Sequence, residues 1–433
     1  SINDLKGGAQ PIKTRDGSCV LTINGEFYDF KHHRARLMAE GGRFATKSDS
    51  EIALGLYRKM GLDFTQELRG EFAFTLYDRE RDELLLVRDR FGVRPLFTWV
   101  SPDGATLVYG SVVKAILAHP DVEARLDPRA ALHQLMQTIA PGMSAFDGVS
   151  SLAPGHLMRV RRREGRLEIS THRYWDFDFP TEAERPEMFD EQAHVERVRE
   201  ELIRAIVLRL EADVPVGCYL SGGIDSCCIL GLATGAMQSP VNAYTISFDD
   251  ADYDEAPIAQ EMAESMGAHQ DVIHLKAADL YGENYINTVW HAERTFYNTL
   301  GVAKNLMSRR VWESGHRCVI TVVGDSVVVA IIMGSVMNRR KSGRSIKLPW
   351  NAPTLCSKVP SSPRISASTG LGNRSAVSPR RGFSRGWTRS ISRARCWPTM
   401  LPTSCGIMIR SRQSRIRLIR RWWLAGTHWT SHN

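Results

Sequence analysis

No acidic residue follows Asp325. Residues 326–433 contain 20 Lys and Arg and neither Asp nor Glu, whereas the first 325 residues contain 36 basic and 48 acidic residues. The net charge of +8 is thus the sum of a body at −12 and a tail at +20. An acidic body excludes a nucleic-acid binder, on charge grounds, over the first three quarters of the chain. Long apolar runs are also missing. The longest candidate, residues 327–333, falls far short of the roughly 18 residues a membrane span needs. The eight cysteines are scattered, with no Cys-x-x-Cys pair. That excludes a disulfide framework or a zinc ribbon and suits reduced, buried thiols in the cytoplasm. No secretory leader precedes the first strand pattern, and the chain opens on Ser1 rather than Met, so an N-terminal segment is expected to be missing. There is no internal repeat.

What is present divides into three parts. Residues 1–175 read as an α+β domain. Short strand patterns fall at 20–23, 72–76, 84–87, 96–100 and 106–109, with helical patterns at 50–60 and 112–118. A Pro-, Glu- and Phe-rich stretch at 176–190 reads as a linker. Over 191–325 strand and helix alternate: helix 195–210, strand 216–220, helix 226–236, strand 241–248, helix 255–266, strand 272–275, helices 280–293 and 302–313, strand 318–323. That rhythm predicts a parallel, doubly wound sheet. Residues 338–433, rich in Ser, Arg, Pro and Trp, have neither period, and the acid-free stretch 326–433 reads as a disordered or non-native tail.

The sharpest chemical signal is Ser221-Gly222-Gly223-Ile224-Asp225-Ser226, between an apolar strand and a helix. Backbone N–H groups at a glycine turn and a helix start make a nest for an anion. Ser221 and Ser226 add hydroxyl donors. A carboxylate in such a nest makes sense when a divalent cation joins it to phosphate, which makes Asp225 a candidate Mg²⁺ ligand. The loop lacks the Gly-Lys-Ser/Thr ending of a Walker A motif. The competing reading is an ordinary capped turn.

This hexapeptide resembles the pyrophosphate loop of ATP pyrophosphatases, and the chain resembles glutamine-dependent asparagine synthetases of class B type. The supporting elements are Asn24-Gly25-Glu26-Phe27-Tyr28, Ser48-Asp49-Ser50-Glu51, Leu68-Arg69-Gly70-Glu71-Phe72-Ala73-Phe74, Arg88-Asp89-Arg90-Phe91-Gly92-Val93-Arg94-Pro95-Leu96 and Arg173-Tyr174-Trp175, in order over residues 1 to about 321. The resemblance implies a glutaminase domain of N-terminal-nucleophile hydrolase fold. It also implies an adenine-nucleotide α-hydrolase-like (PP-loop) synthetase domain, with glutamine, aspartate and ATP as substrates and Mg²⁺ as the cation. By resemblance Asn24 and Gly25 form an oxyanion hole, and Glu26 and Asp49, with Asn24, hold glutamine. Leu220, Ile246 and Thr321 flank the nucleotide, and Ser221, Gly222, Gly223, Asp225 and Ser226 hold pyrophosphate, with Asp225 on the metal. A homodimer is compatible with the resemblance, and a membrane or nucleic-acid partner is not expected. Each residue also has a plain reading. Asn24-Gly25 suits a hairpin turn, Asp49 suits a helix cap, Leu220 and Ile246 suit a strand core, and Arg88-Asp89-Arg90 suits a surface ion-pair cluster with a structural role.

Two departures bear on activity. The family's nucleophile is an N-terminal Cys. This chain opens on a segment like the family's internal one, and Cys19 has no free amine, so glutamine hydrolysis is not expected. After Thr321 the family has Gly-Glu-Gly-x-Asp-Glu, but here stand Val322-Val323-Gly324-Asp325-Ser326-Val327, with Val323 at the catalytic Glu and Ser326 at the metal Asp. Asp325 is one residue out of register. The acid-free tail beyond reads as a shifted reading frame or a basic arm. The expectation is an asparagine synthetase of impaired activity. The alternatives are a related amidotransferase for another carboxylate, in secondary metabolism or polysaccharide synthesis, and a non-catalytic remnant with a basic tail.

Overall fold

Alternation in two strands sets the first domain's layers. In β3, Phe72, Phe74 and Leu76 face one way and Ala73 and Tyr77 the other; in β4, Leu85 and Val87 oppose Leu84 and Leu86. A strand buried on both faces must lie between two cores. The computed structural model describes residues 3–136, 138, 140–184, 190–237, 239–250, 254–294 and 298–321, and the backbone of 407–410.

The first domain runs β1 (Ile12–Lys13), β2 (Cys19–Phe27), α1 (Phe30–Ala39), α2 (Ile52–Met60), α3 (Phe64–Glu67), β3 (Gly70–Asp78), β4 (Glu83–Arg88), β5 (Phe97–Val100), β6 (Thr106–Gly110), α4 (Val113–Leu117), α5 (Pro128–Leu135), β7 (Val149–Ser151), β8 (His156–Arg163) and β9 (Arg166–Arg173). An antiparallel sheet ordered β1-β2-β3-β4-β8-β9 stacks on a second containing β6-β5-β7. Ile52, Leu56 and Phe64 from the helices cover the outer face of the first sheet. Leu107 and Tyr109 meet Ala73, Leu84 and Leu86 between the sheets. Val113 and Ile116 of α4 close the far side against Trp99 and Val108. The result is an α–β–β–α sandwich, in line with the expected α+β domain.

The stretch expected to be a bare linker is ordered at its start. Phe91, Trp175 and Phe177 pack edge to face, and Phe179 stacks on Phe177 at 5.4 Å. Residues 185–189 lie outside the described residues.

The second domain runs α6 (Glu191–Arg209), β10 (Val216–Tyr219), α7 (Ile224–Met237), β11 (Asn242–Phe248), α8 (Ala256–Met266), β12 (His269–Leu275), α9 (Glu283–Ala292), α10 (Leu300–Glu313) and β13 (Cys318–Ile320). Its sheet is parallel, in the order β12-β11-β10-β13. Ile206, Ile229, Leu230, Ala259 and Ala263 bring α6, α7 and α8 onto one face, and Val302, Ala303, Leu306 and Val311 bring α10 onto the other. The expected doubly wound sheet is what forms. The chain steps outward from β10 to β12, then returns to place β13 on the other side of β10. That reversal is a topological switch point, where ligands bind beyond the carboxyl ends of the strands.

Within the tail, Ile407–Arg410 forms β14, which pairs antiparallel with β6, Ile407 opposite Tyr109. The outer edge of β6 offers unpaired backbone groups, and a short run with strand propensity satisfies them. The other residues of the tail lie outside the described residues.

Candidate active site

Asn24, Gly25 and Glu26 lie inside β2, toward its end, opposite Ala73, Phe72 and Glu71 of β3. The hairpin-turn reading of Asn24-Gly25 is therefore wrong: the pair is strand. Glycine is required there, because φ is +129° and a Cβ would stand 1.9 Å from the Glu71 carbonyl oxygen. Asn24 is 5% exposed. Its Oδ1 is buried without a hydrogen-bond partner among the described residues. An unpaired buried amide costs about 1–3 kcal/mol, which suits a group kept for a ligand.

The Ser48–Glu51 motif divides its labour. Ser48 caps the 3₁₀ turn Asp49–Glu51, its hydroxyl accepting from Ser50 N–H at 3.3 Å. Glu51 accepts from the Ala45 and Thr46 amides. The cap reading of Asp49 thus fails. Instead Asp49, 3% exposed, accepts from the Phe27 amide at 2.7 Å. Its position beside Glu26 makes a buried acidic pair. Burial pushes the Glu26 carboxyl up to about 8, with Glu71 and Asp49 adding to the rise and Arg94 and Arg209 opposing it. Burial also raises Asp49, against its hydrogen bonds.

Sequence reasoning missed the next layer around Glu26. Glu71 accepts from the Tyr28 hydroxyl at 2.9 Å and from Arg209 Nε at 3.2 Å, with Arg94 Nη2 at 3.9 Å. Arg94 is delivered by the 88–96 loop. Asp89, fully buried, accepts from the Phe91, Val93 and Arg94 amides, all at 3.0 Å. Arg88 donates to the Arg94, Gly92 and Leu152 carbonyls. The Arg88-Asp89 pair is thus an internal brace, which fits its expected structural role but not a surface cluster. Glu71 and Arg94 sat inside quoted motifs without an assigned role, and Arg209 had no signal beyond its place at a helix end.

The residues of the 221–226 loop lie at the switch point. Ser221 to Gly223 follow β10, and Ile224, Asp225 and Ser226 form the first turn of α7, whose amides no preceding turn accepts. The Ser221 and Ser226 hydroxyls lie 3.1 Å apart, and Ser226 Oγ donates to the Gly223 carbonyl at 3.0 Å. Gly222 has φ +78° and lets the start of α8 approach, with Glu255 O 3.0 Å from where a Cβ would stand. Asp225 is exposed at the helix start. The described residues hold no cluster of three or more His, Cys, Asp or Glu able to bind a metal on their own. The donor set fits a cation that arrives with phosphate oxygens, through one carboxylate. Leu220, 1% exposed, directly follows β10 and packs in the core, and Ile246 packs against the core from β11. Thr321 directly follows β13, and Val322 to Val327, including Val323, Asp325 and Ser326, lie outside the described residues. Cys228 in α7 is exposed and Cys227 half-buried, so the expectation of buried thiols fails there.

Several curated proteins are similar to this chain. Amidase chry2 of Gibberella zeae is 32% identical over 341 residues, covering 75% of this chain and 49% of its own length. Amidase chyE of Penicillium rubens is 32% identical over 343 residues, covering 75% and 49%. Glutamine-hydrolyzing asparagine synthetase 3 of Bacillus subtilis is 32% identical over 297 residues, covering 64% and 46%. The chain spans about half the length of the curated relatives it matches. The family model for a glutamine amidotransferase domain matches residues 1–175, and that for asparagine synthase matches residues 197–327. The chain belongs to the asparagine synthetase-like family. Within this asparagine synthetase-like chain the first match coincides with the α–β–β–α sandwich and the second with the parallel-sheet domain. Among the described residues no helix is long and apolar enough to cross a membrane.

Proposed function

We propose that this chain binds glutamine in the first domain and ATP with Mg²⁺ in the second, and belongs to a protein that amidates a carboxylate with glutamine-derived nitrogen. The observation that carries the reading is the buried Asn24 Oδ1, which has no hydrogen-bond partner among the described residues and stands in β2 next to Gly25 and Glu26.

In this reading the Asn24 amide and Gly25 N–H face the oxyanion of the donor amide, and Glu26 and Asp49 hold its α-ammonium. The Ser221–Ser226 turn and the first amides of α7 cradle the departing pyrophosphate. Asp225 would hold Mg²⁺, which supplies charge neutralisation on the phosphates when bound. Val323 and Ser326, where the family pattern has Glu and Asp, reduce turnover. Calorimetry with glutamine and with ATP–Mg²⁺, and pyrophosphate release with aspartate and ammonium, test this together. Both ligands are expected to bind, with weak aspartate-dependent release. Absence of both bindings would overturn the reading, and robust release would overturn its impaired part.

A second reading keeps the chemistry and changes the acceptor to a carboxylate other than aspartate. The similarity to two fungal amidases over 75% of the chain supports it. Pyrophosphate release that rises with another carboxylic acid and not with aspartate would decide for it.

A further inference from the structure

Arg209 belongs to the second domain by sequence and to the first domain's pocket by contact. It is the last residue of α6. Its stem is braced by its own helix, Nη1 donating to the Ala205 carbonyl at 3.1 Å. Ile206, one turn earlier, is anchored in the core that α6 shares with α7, the helix opening at the nucleotide loop. From this base the guanidinium reaches Glu71 on β3, with Nε and Nη2 both 3.2 Å from Oε1. Its carbon lies 5.1 Å from the Tyr28 ring centre. Tyr28 closes the triangle by donating to the same Glu71 oxygen at 2.9 Å. Glu71 is the direct cross-strand partner of Glu26, and like charges placed opposite each other repel.

We propose that Arg209 is a positioning residue reaching across from the second domain: by holding Glu71 and Tyr28 it keeps the Glu71 carboxylate turned from Glu26, and so leaves Glu26 available to the ammonium of the donor substrate. The proposal rests on the reading of the first-domain pocket as a glutamine site. It makes that pocket depend on how α6 sits, and α6 packs on the helix that opens at the nucleotide loop.

The charged and titratable groups facing Glu26 are Asp49 from the 3₁₀ turn, Glu71 from β3, Tyr28 beyond β2, Arg94 from the 88–96 loop, Arg209 from α6 and Cys318 from β13. Arg209 and Arg94 are the two that favour the Glu26 anion. Without Arg209 the carboxyl holds its proton to higher pH, so glutamine binding should require more alkaline solution.

The test measures glutamine affinity by calorimetry at several pH values, ATP–Mg²⁺ affinity and melting temperature, for the wild-type chain, Arg209→Met and Arg209→Lys. Arg209→Met is expected to weaken glutamine binding by about tenfold, within the usual range of coupling between sites. Its pH profile should move upward, with ATP affinity and melting temperature near wild type. Wild-type glutamine affinity in this variant overturns the proposal, as does a loss of both affinities with an unmoved pH profile. Should Arg209→Met fail to fold, Arg209→Lys decides. It keeps the charge but loses the planar stacking and the two-nitrogen contact, so weaker binding with an unchanged pH profile is expected, and full affinity overturns the proposal. A wild-type chain that binds no glutamine sinks the reading of the pocket itself, an outcome distinct from any difference between variants.

Discussion

At the residue scale, Gly25 and Glu26 make the sharpest demands. Gly25→Ala would force a Cβ to 1.9 Å from the Glu71 carbonyl at φ +129°. The variant is expected to lose roughly 2–4 kcal/mol of stability, read by denaturant unfolding, with glutamine affinity falling alongside. Little change would mean that β2 and β3 separate more easily than their register suggests. Glu26 carries a pH signature. Its folded-state carboxyl is raised from 4.5 to about 8, chiefly by burial. The folded chain therefore binds more protons than the unfolded chain between those values, and stability falls as pH rises through that window, then levels off. Glu26→Gln should flatten the fall between about pH 5 and about pH 8. Asp49, raised in the same direction, leaves a residual slope at the acidic end. Unfolding curves across pH check this, and an unchanged slope in the variant would assign the effect elsewhere.

At the element scale the loop after β4 is the part most open to test. Asp89→Ala removes the acceptor for three backbone amides in a fully buried place. Each orphaned donor costs about 1 kcal/mol or more, so the expected loss is roughly 3 kcal/mol, seen as a lower melting temperature. Arg94 loses its fixed approach to Glu71, and glutamine should bind more weakly than the stability loss alone explains. Elements also show what could be read in advance. The strands at 72–76 and 84–87 were legible because both faces are apolar and a turn signal at Asp82 stands between them. The parallel domain was legible through its alternation. Helix α1 was not, because FKHHRARLMA has no apolar stripe and buries only Phe30, His33 and Leu37. Strand β8 was obscured by arginines whose heads pair with Asp82 and Glu83, leaving their stems along the sheet. In the site, Asn24, Gly25, Glu26 and Asp49 stand out through a motif, but Arg209 comes from 138 residues away from Glu71. No local pattern announces such a contact.

At the scale of the whole molecule the two domains are joined by a few charged groups exchanged in both directions. Lys31 of α1 pairs with Glu211, and the Asp4 amide donates to Asp213 at 2.7 Å. The second domain answers with Glu293, whose backbone is left-handed at φ 55°. Its two carboxylate oxygens accept the Val113 and Lys114 amides at 2.6 and 2.8 Å, capping α4 from outside its own domain. Lys114 adds an ammonium 3.2 Å from that carboxylate. Glu293→Ala is expected to cost about 1–2 kcal/mol as a lost cap and to separate the unfolding of the two domains. Calorimetry should resolve two transitions where the wild type gives one. A single transition shifted only slightly would mean that the contacts around Arg209 hold the domains without it.

The Glu293 cap has a consequence for how the chain comes off the ribosome. Helix α4 is only five residues long and its first amides wait for an acceptor 180 positions later in the chain. At roughly 5–20 residues per second, α4 emerges about ten to forty seconds before the group that completes it. Until then the first amides of α4, which packs over Trp99 and Val108, lack the acceptor they have in the folded chain. The order of synthesis thus makes Glu293 of the second domain a late structural component of the first, followed by β14 on the edge of β6.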